Sequence, residues 1–364
     1  MKTQRKTRPV ILAGRLLVAL TLLLGGFGTA ASQNVEQLLQ HADEIKYTHN
    51  DEFLAVLKQL DAQRESLTNQ QRDWLAYFRA WQLGYSGEYE NALAAFQNLL
   101  ARTQDQTLRA RSQVSLIYDQ VNAAHFENAY VTVGELLESL PKIEDRKARF
   151  LILITAAYVY SGGGQYDLAL SYLDKAVAAD PSDHAICFVT AAKVDTLYSA
   201  GKLHADNPKI RDGIDACKRI DDPLETNLIY SKTAQLQIDQ GHAADALKLL
   251  KAHDAEMLNT RSAAAISEYR SALARAYFET GVFDKAEQSA QSAIGFANTQ
   301  TSARSVVAAY DVLYQVAKRQ GDDAAALAWH EKYSAADKGY LNDISARALA
   351  YQMVHQRVLD NQRQ

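Results

Sequence analysis

The chain has 364 residues, of which 48% are hydrophobic and 23% are charged, with a formal net charge of −4. This length suits two domains or one elongated array, and the apolar content with only 5 prolines excludes a disordered chain. Acidic and basic residues are interspersed along the sequence and no basic block follows the N-terminus, so we expect no nucleic-acid partner.

The first 31 residues have the pattern of a secretory signal. Four basic residues near the N-terminus precede an apolar run, Leu16–Phe27, and the small residues Gly28–Ala31 follow it. We therefore expect residues 1–31 to be a cleaved signal peptide and the mature protein to be periplasmic or otherwise extracytoplasmic. The alternative is an uncleaved membrane anchor, which is disfavoured because Arg15 shortens the apolar run.

A repeated pattern follows along most of the chain. Each clear copy starts with glycine, has an aromatic or small residue two positions later and, in most copies, alanine five positions later. The clear copies start at Gly87, Gly164, Gly241 and Gly281, weaker ones start at Ala124 and Gly321, and a degenerate one starts at Gly201. Neighbouring starts lie 37 or 40 residues apart. The regular spacing predicts consecutive helix pairs, each with its turn at one of these residues.

The chemistry of each position fits a helix–turn–helix unit. Glycine can leave a helix in a left-handed conformation, alanines let two helices approach closely, and Pro141 and Pro181 stop the second helix. These residues resemble the tetratricopeptide repeat (TPR), most clearly over residues 151–181. The resemblance covers about residues 73–333, and residues 34–67 are expected to add a further pair that turns at Asn50-Asp51.

The resemblance implies an all-α superhelical solenoid of about seven to eight TPR-like helix pairs with a period near 40 residues. We expect the solenoid to occupy residues 32–340 and a C-terminal helix to occupy residues 341–364. That helix either projects as a linker or covers the last repeat as a cap.

The first helix of each pair is expected to line the concave face. Inward positions are aromatic in the N-terminal half and more charged later, where Gln235 and Glu268 also point inward. We predict a protein or peptide groove because tyrosine and tryptophan combine contact area with a polar tip. The candidate groove residues are Trp74, Tyr77, Trp81, Tyr85, Tyr118, Tyr158, Tyr198 and Arg275. The alternative is that these rings only fill the tight inner curve of the superhelix.

No motif in the sequence indicates catalysis. The chain lacks a glycine-rich phosphate loop, a nucleophile elbow and a His-Glu-x-x-His zinc motif, and no two of its 9 histidines are four residues apart. We therefore expect a binding protein and not an enzyme, with no metal and no cofactor.

The mature chain also resembles the extracytoplasmic sensor region of TPR membrane proteins that carry a C-terminal GGDEF (diguanylate cyclase) domain. The resemblance rests on residues 67–72, 164–170 and 266–269, and above all on residues 329–354. It implies a sensory input module whose last helix leads to a membrane span. Neither the span nor the cyclase is present, so the chain is either truncated or has lost its output domain. The alternative function is a free periplasmic TPR scaffold for protein assembly.

The chain has two cysteines, Cys187 and Cys217, both in the degenerate fourth repeat. Cys187 is near the start of a predicted first helix and Cys217 near the end of the second, which are neighbours in an antiparallel pair. Because an exported protein meets oxidising conditions, we expect a disulfide. Two buried free thiols are the alternative.

Overall fold

The computed structural model describes residues 26–46, 49–204, 207–260, 262–297 and 304–363. The described residues form sixteen α-helices and two short 3-10 helices and contain no strand, which confirms the predicted all-α fold. Most of the predicted signal segment, up to residue 25, lies outside the described residues. Among the helices that the structure describes, none combines the length and apolar character that a bilayer span needs.

The chain divides into two compact units, with the boundary between Leu108 and Arg109. The first unit contains α1 (Gly26–Ile45), α2 (Asn50–Ala62), α3 (Asn69–Tyr85) and α4 (Tyr89–Leu100). Its core is aromatic: the Phe53 ring meets those of Phe78 and Trp81 edge to face, with centroids 5.9 and 5.3 Å apart. A helix pair thus does occupy the region of residues 34–67. The predicted turn is wrong in detail, because Asn50 and Asp51 are the first residues of α2.

α5 (Gln106–Asn122) crosses the boundary, and the second unit contains the rest. Its helices are α6 (Phe126–Ser139), α7 (Arg146–Gly162), α8 (Tyr166–Ala179), α9 (Asp183–Ser199), α10 (Pro208–Arg219), α11 (Pro223–Asp239), α12 (Ala243–Asn259), α13 (Ala263–Glu279), α14 (Phe283–Phe296), α15 (Arg304–Gln320) and α16 (Asp323–Arg363). Asp145, Ser182 and Asp222 begin α7, α9 and α11 by accepting a hydrogen bond from a backbone N–H of the first turn.

Left-handed residues mark the turns inside the helix pairs. Within the helix pairs, positive φ angles occur at Gly87, Gly164, Gly201, Gly241, Gly281, Gly321 and Ala124, and Asp221, between α10 and α11, has one as well. The seven within the pairs are the positions at which the sequence pattern predicts the turns. Glycine adopts this conformation without strain, whereas Ala124 holds a φ of 59° with a Cβ present. The positions of these turns can therefore be predicted from single residues in the sequence.

Alanines let the two helices of a pair approach each other. Ala157 on α7 and Ala169 on α8 are buried, as are Ala274 on α13 and Ala286 on α14. Each pair of alanines belongs to the same hydrophobic cluster, which joins a first helix to its second helix. Small side chains bring the backbones close, and larger leucine, valine and tyrosine side chains fill the space between successive pairs.

The last helix, α16, is continuous over 41 residues and is therefore about 60 Å long. Its first part pairs with α15, and its second part packs against α6. Ala350 is buried in the hydrophobic cluster of α5, α6 and α7, with Tyr351 and Val354 against that cluster. Residues 343–363 are thus helical, as the sequence predicts. The contacts of Ala350, Tyr351, Val354 and Arg357 dock this segment, up to Arg357, against earlier helices of the second unit.

Candidate binding surface

The first helices of successive pairs lie side by side in the second unit. α9 packs against α11, α11 against α13, and α13 against α15. Within the described residues, no contact of similar extent joins the second helices α10, α12 and α14 to one another. In a curved stack the inner elements are closer together than the outer ones, so α9, α11, α13 and α15 form the inner face of this unit.

A row of charges crosses this inner face. Lys232 on α11 lies between Asp195 on α9 and Glu268 on α13, with Nζ–O distances of 2.7 and 2.6 Å. The Lys232 side chain is only 7% exposed. Burial alone would lower the pKa of Lys232, but Glu268 and Asp195 outweigh it and raise the pKa above its ordinary value. The lysine is therefore a fixed positive charge that links three first helices.

A second group of side chains lies beside this row. The Tyr198 hydroxyl donates to Oδ2 of Asp239 at 2.8 Å, and Nη2 of Arg275 donates to Oδ1 of the same carboxylate at 2.7 Å. Burial, and then the hydrogen bond to Asp239, raise the pKa of Tyr198. The Tyr198 ring also lies 5.4 Å from the Lys232 ammonium, within range of a cation–π contact. Two of the predicted groove residues, Tyr198 and Arg275, are thus joined through one carboxylate.

Arg304 connects the inner face to the last helix. Its Nε donates to the Tyr340 hydroxyl on α16 at 2.9 Å. Its guanidinium carbon lies 5.7 Å from the Tyr340 ring centroid and 5.9 Å from that of Tyr198. Burial lowers the pKa of Arg304, but contacts with Tyr340 and the charge of Asp195 raise it overall. We name the eight side chains of this network the inner-face network: Asp195, Tyr198, Lys232, Asp239, Glu268, Arg275, Arg304 and Tyr340.

The far half of α16 is held by aromatic and ionic contacts. The Tyr351 ring centroid lies 5.6 Å from that of Tyr130 on α6 and 5.9 Å from that of Tyr160 on α7. The Arg347 guanidinium lies 4.7 Å from the Phe126 ring centroid. Arg357 forms a 2.6 Å ion pair with Glu127, 230 residues away in the sequence. Since the same helix carries Tyr340, it joins the inner-face network to α6 and α7.

Two further predicted residues form a pair on neighbouring first helices. The rings of Tyr118 on α5 and Tyr158 on α7 lie 5.0 Å apart. Tyr158 is 42% exposed and Tyr118 is half-buried. Both side chains belong to the second unit. They offer an aromatic surface that a ligand can reach.

In the first unit, two of the four predicted groove residues are buried. Tyr77 is 2% exposed and Trp81 is 8% exposed, so both fill the core and do not line an open groove. The Trp81 ring meets Phe53 on α2, which is why it turns inward. Trp74 is half-buried against Tyr77, and only Tyr85 is well exposed, at 54%, stacked on Trp81. The packing alternative thus holds for Tyr77 and Trp81.

Sequence reasoning missed five of the eight network residues: Asp195, Lys232, Asp239, Arg304 and Tyr340. The repeat register compares positions 37 or 40 residues apart, whereas most contacts of the network join residues 36 or 37 apart, as in the pairs Asp239–Arg275 and Arg304–Tyr340. The Tyr198–Asp239 contact, at a spacing of 41, is an exception. Residues in contact on neighbouring helices are therefore mostly offset by about one helical turn from equivalent positions of the repeat. A search for opposite charges at a spacing of 36 or 37 would have found the row.

The structure joins Cys187 on α9 to Cys217 on α10, with an S–S distance of 2.12 Å and a Cα–Cα distance of 4.7 Å. Both side chains are fully buried. The helices are close here: a Cβ added at Gly213 on α10 would overlap the Thr190 side chain on α9. The start of α9 and the end of α10 are thus neighbours, as the antiparallel pairing predicts.

No cluster of three or more histidine, cysteine or acidic side chains suited to a metal occurs among the described residues. The acidic residues of the inner face are bound to lysine, arginine or tyrosine. These pairs make the inner face a polar surface whose charges are held in place by one another.

Comparisons with known proteins identify the class of fold. Residues 152–183 match the sequence profile of the tetratricopeptide repeat. A comparison with curated protein sequences finds no match. The chain is similar in structure to a signal transduction ATPase (STAND) protein with a tetratricopeptide repeat sensor from Pyrococcus horikoshii, with a TM-score of 0.60 and 17% identity over 93% of this chain. This chain spans 50% of that protein's length.

Two further solved structures show the same likeness. A Rap protein complexed with Competence and Sporulation Factor has a TM-score of 0.58 and 12% identity, covering 91% of this chain and 98% of its own. NprR in complex with its cognate peptide NprX has a TM-score of 0.51 and 10% identity, covering 78% and 84%. The chain thus contains a TPR region and has the all-helical fold of TPR-like superhelical solenoid proteins.

Proposed function

We propose that the chain is a non-catalytic peptide- or protein-binding module whose ligand lies on the inner face of the second unit. The observation that carries the proposal is the inner-face network, in which four neighbouring first helices and α16 contribute charged and aromatic side chains. Ion pairs hold these side chains in place before a ligand arrives, which lowers the entropy that binding costs.

The chemistry of this surface suits an extended peptide with charges of both signs. Arg275 and Arg304 offer guanidinium donors, Asp195 and Asp239 offer carboxylates, and Tyr198 offers a ring with a polar tip. The Tyr118–Tyr158 pair adds exposed aromatic area in the same unit. The fold shared with NprR, which was solved with its cognate peptide, supports a peptide as the ligand.

The proposal is tested by selecting random peptides on the purified protein and measuring their affinity by fluorescence anisotropy. Arg275→Gln should weaken binding of the selected peptides at least about tenfold, or about 1.4 kcal/mol. Arg146→Gln is the matched control, because Arg146 is an exposed arginine of the same unit paired with an aspartate. Equal affinities for the two variants would place the ligand elsewhere.

We further propose that this module is exported and acts as the sensory input of a diguanylate cyclase-type signalling protein. The resemblance to GGDEF-associated sensors and the signal-like N-terminus support this role. α16 supplies a physical link, because Tyr340 contacts the inner-face network while Tyr351 contacts α6 and α7. A ligand that displaces Arg304 from Tyr340 would change how α16 is held. Fusion of residues 1–40 to a phosphatase that folds only outside the cytoplasm tests export, and an inactive fusion would contradict it.

A free extracytoplasmic scaffold is the second candidate. The docking of residues 343–357 against their own chain favours it, since a signalling helix must change its contacts. The two candidates differ in one measurement: amide exchange of α16 with and without a selected peptide. Faster exchange on binding supports the sensor, and unchanged exchange supports the scaffold.

A further inference from the structure

The first unit contains a cleft, and most of the charged residues that line it are arginines. It lies between the second helices α2 and α4, with α3 as its floor, and has a volume of about 990 Å³. Its charged lining residues are Asp61, Arg64, Arg72, Asp73, Arg79 and Arg102. Alanine and leucine side chains of α3 and α4 line the rest together with two asparagines. The cleft lies within the first unit, apart from the inner-face network.

Positive charge exceeds negative charge in this lining. Asp61 pairs with Arg79, and Asp73 accepts from Nε of Arg102 at 2.9 Å. Arg72 is held by the backbone, because its Nε and Nη2 donate to the carbonyl oxygens of Arg64 and Glu65, both at 3.3 Å. The lining therefore contains four guanidinium groups and two carboxylates, which gives the cleft an excess of two positive charges at neutral pH.

We propose that this cleft binds a small organic dianion carrying carboxylate or phosphate groups. Guanidinium groups bind both kinds of oxyanion through paired N–H donors, and two such groups are in excess here. The volume is at the upper end of the range for small-molecule sites, too large for a single inorganic ion to fill. The apolar floor suits the carbon skeleton that would join the two anionic groups.

The state of Arg79 agrees with this assignment. Burial lowers the pKa of its guanidinium. The side chain is nevertheless 43% exposed, so an oxyanion in the cleft can reach it. Asp61 occupies part of the bonding capacity of Arg79 and therefore competes with any bound oxyanion.

Calorimetric titration of the full chain tests the proposal with three probes at constant ionic strength: disodium succinate, disodium glycerol phosphate and neutral succinamide. Succinate or glycerol phosphate should bind while succinamide does not, and the stronger of the two anions identifies the ligand class. Arg79→Gln should weaken binding at least about tenfold, and Asp61→Asn should strengthen it because Arg79 loses its competitor.

Two further variants keep the result interpretable. Arg64→Gln removes an exposed arginine of the lining and should weaken anion binding even if Arg79→Gln fails to fold. Arg146→Gln makes the same change in charge in the second unit and should leave binding unchanged. Absence of heat with both anions, or equal affinity in wild type, Arg64→Gln and Asp61→Asn, would overturn the proposal.

Discussion

Asp119 is a buried carboxyl group on α5, only 6% exposed. Burial raises its pKa from the ordinary 3.8 to about 7. The folded state therefore holds a proton that the unfolded state has lost between about pH 4 and pH 7. Stability falls as pH rises through this interval, because ionising Asp119 costs more in the folded state.

We predict that the free energy of unfolding decreases by at most roughly 1.4 kcal/mol per pH unit from pH 4 to pH 7 through this group. Asp119→Asn should remove that decrease and be the more stable protein above pH 7. Urea unfolding across this range measures the effect. Asp167→Asn is the control, since the Asp167 side chain is 83% exposed. Parallel pH profiles for wild type and Asp119→Asn would show that the prediction is wrong.

At the residue scale, sequence reasoning found part of the candidate site. Tyr198 and Arg275 follow from the repeat register, because a residue's position on a first helix determines whether it faces inward. Tyr77 and Trp81 satisfy the same rule yet are buried, because the ring of Phe53 from α2 packs against Trp81 and that of Phe96 from α4 lies 6.1 Å from Tyr77. Whether an inward ring is covered depends on a neighbouring helix, which the pattern of one helix does not describe.

The α9–α10 pair departs most from the repeat pattern in sequence, and a disulfide joins its two helices. Cys187 and Cys217 lie 30 residues apart in the sequence, and linking them restricts the unfolded chain. We predict that reduction lowers the free energy of unfolding by about 3 kcal/mol. Urea unfolding with and without dithiothreitol measures this, and a variant with Cys187→Ala and Cys217→Ala should be insensitive to the reductant.

Thiol titration of the unfolded, unreduced protein gives an independent answer for the same element. No free thiol is expected in protein isolated from an oxidising compartment. Two thiols per chain would contradict the disulfide and would leave two buried cysteines as packing residues.

The second half of α16 is the other element that makes a specific prediction. Tyr351→Ala removes the ring contacts with Tyr130 and Tyr160 and should release the helix from α6 and α7. Amide exchange at residues 343–357 should then become faster while exchange in α13 stays the same. Leu349→Ala is the control, because Leu349 is on the same helix and 57% exposed. Equal exchange in the two variants would mean that the aromatic contacts do not hold the helix.

At the element scale, the sequence predicts the positions of the turns better than it predicts the contacts between distant helices. The positions of the left-handed residues, the antiparallel cysteines and the helical C-terminal stretch are local properties of one or two helices. The docking of α16 on α6 depends on the accumulated rotation of all the helix pairs between them. Arg357 and Glu127 are 230 residues apart, and no periodicity in the sequence links them.

On the scale of the whole molecule, the two separately packed units carry separate candidate sites. The second unit carries the inner-face network and the helix that ties it to α6 and α7. The first unit carries the arginine-lined cleft. The fold class follows from repeat spacing, whereas both surfaces depend on side chains from several helices that meet only in the folded protein.

A peptide that binds the inner face of the second unit should contact its first helices. Photo-crosslinking with a selected peptide that carries a benzoylphenylalanine residue tests it most directly, with mass spectrometry to locate the linked residues. We predict crosslinks to α9, α11, α13 and α15 and to α16 near Tyr340, all abolished by excess unlabelled peptide. Crosslinks confined to the second helices α10, α12 and α14 would contradict it.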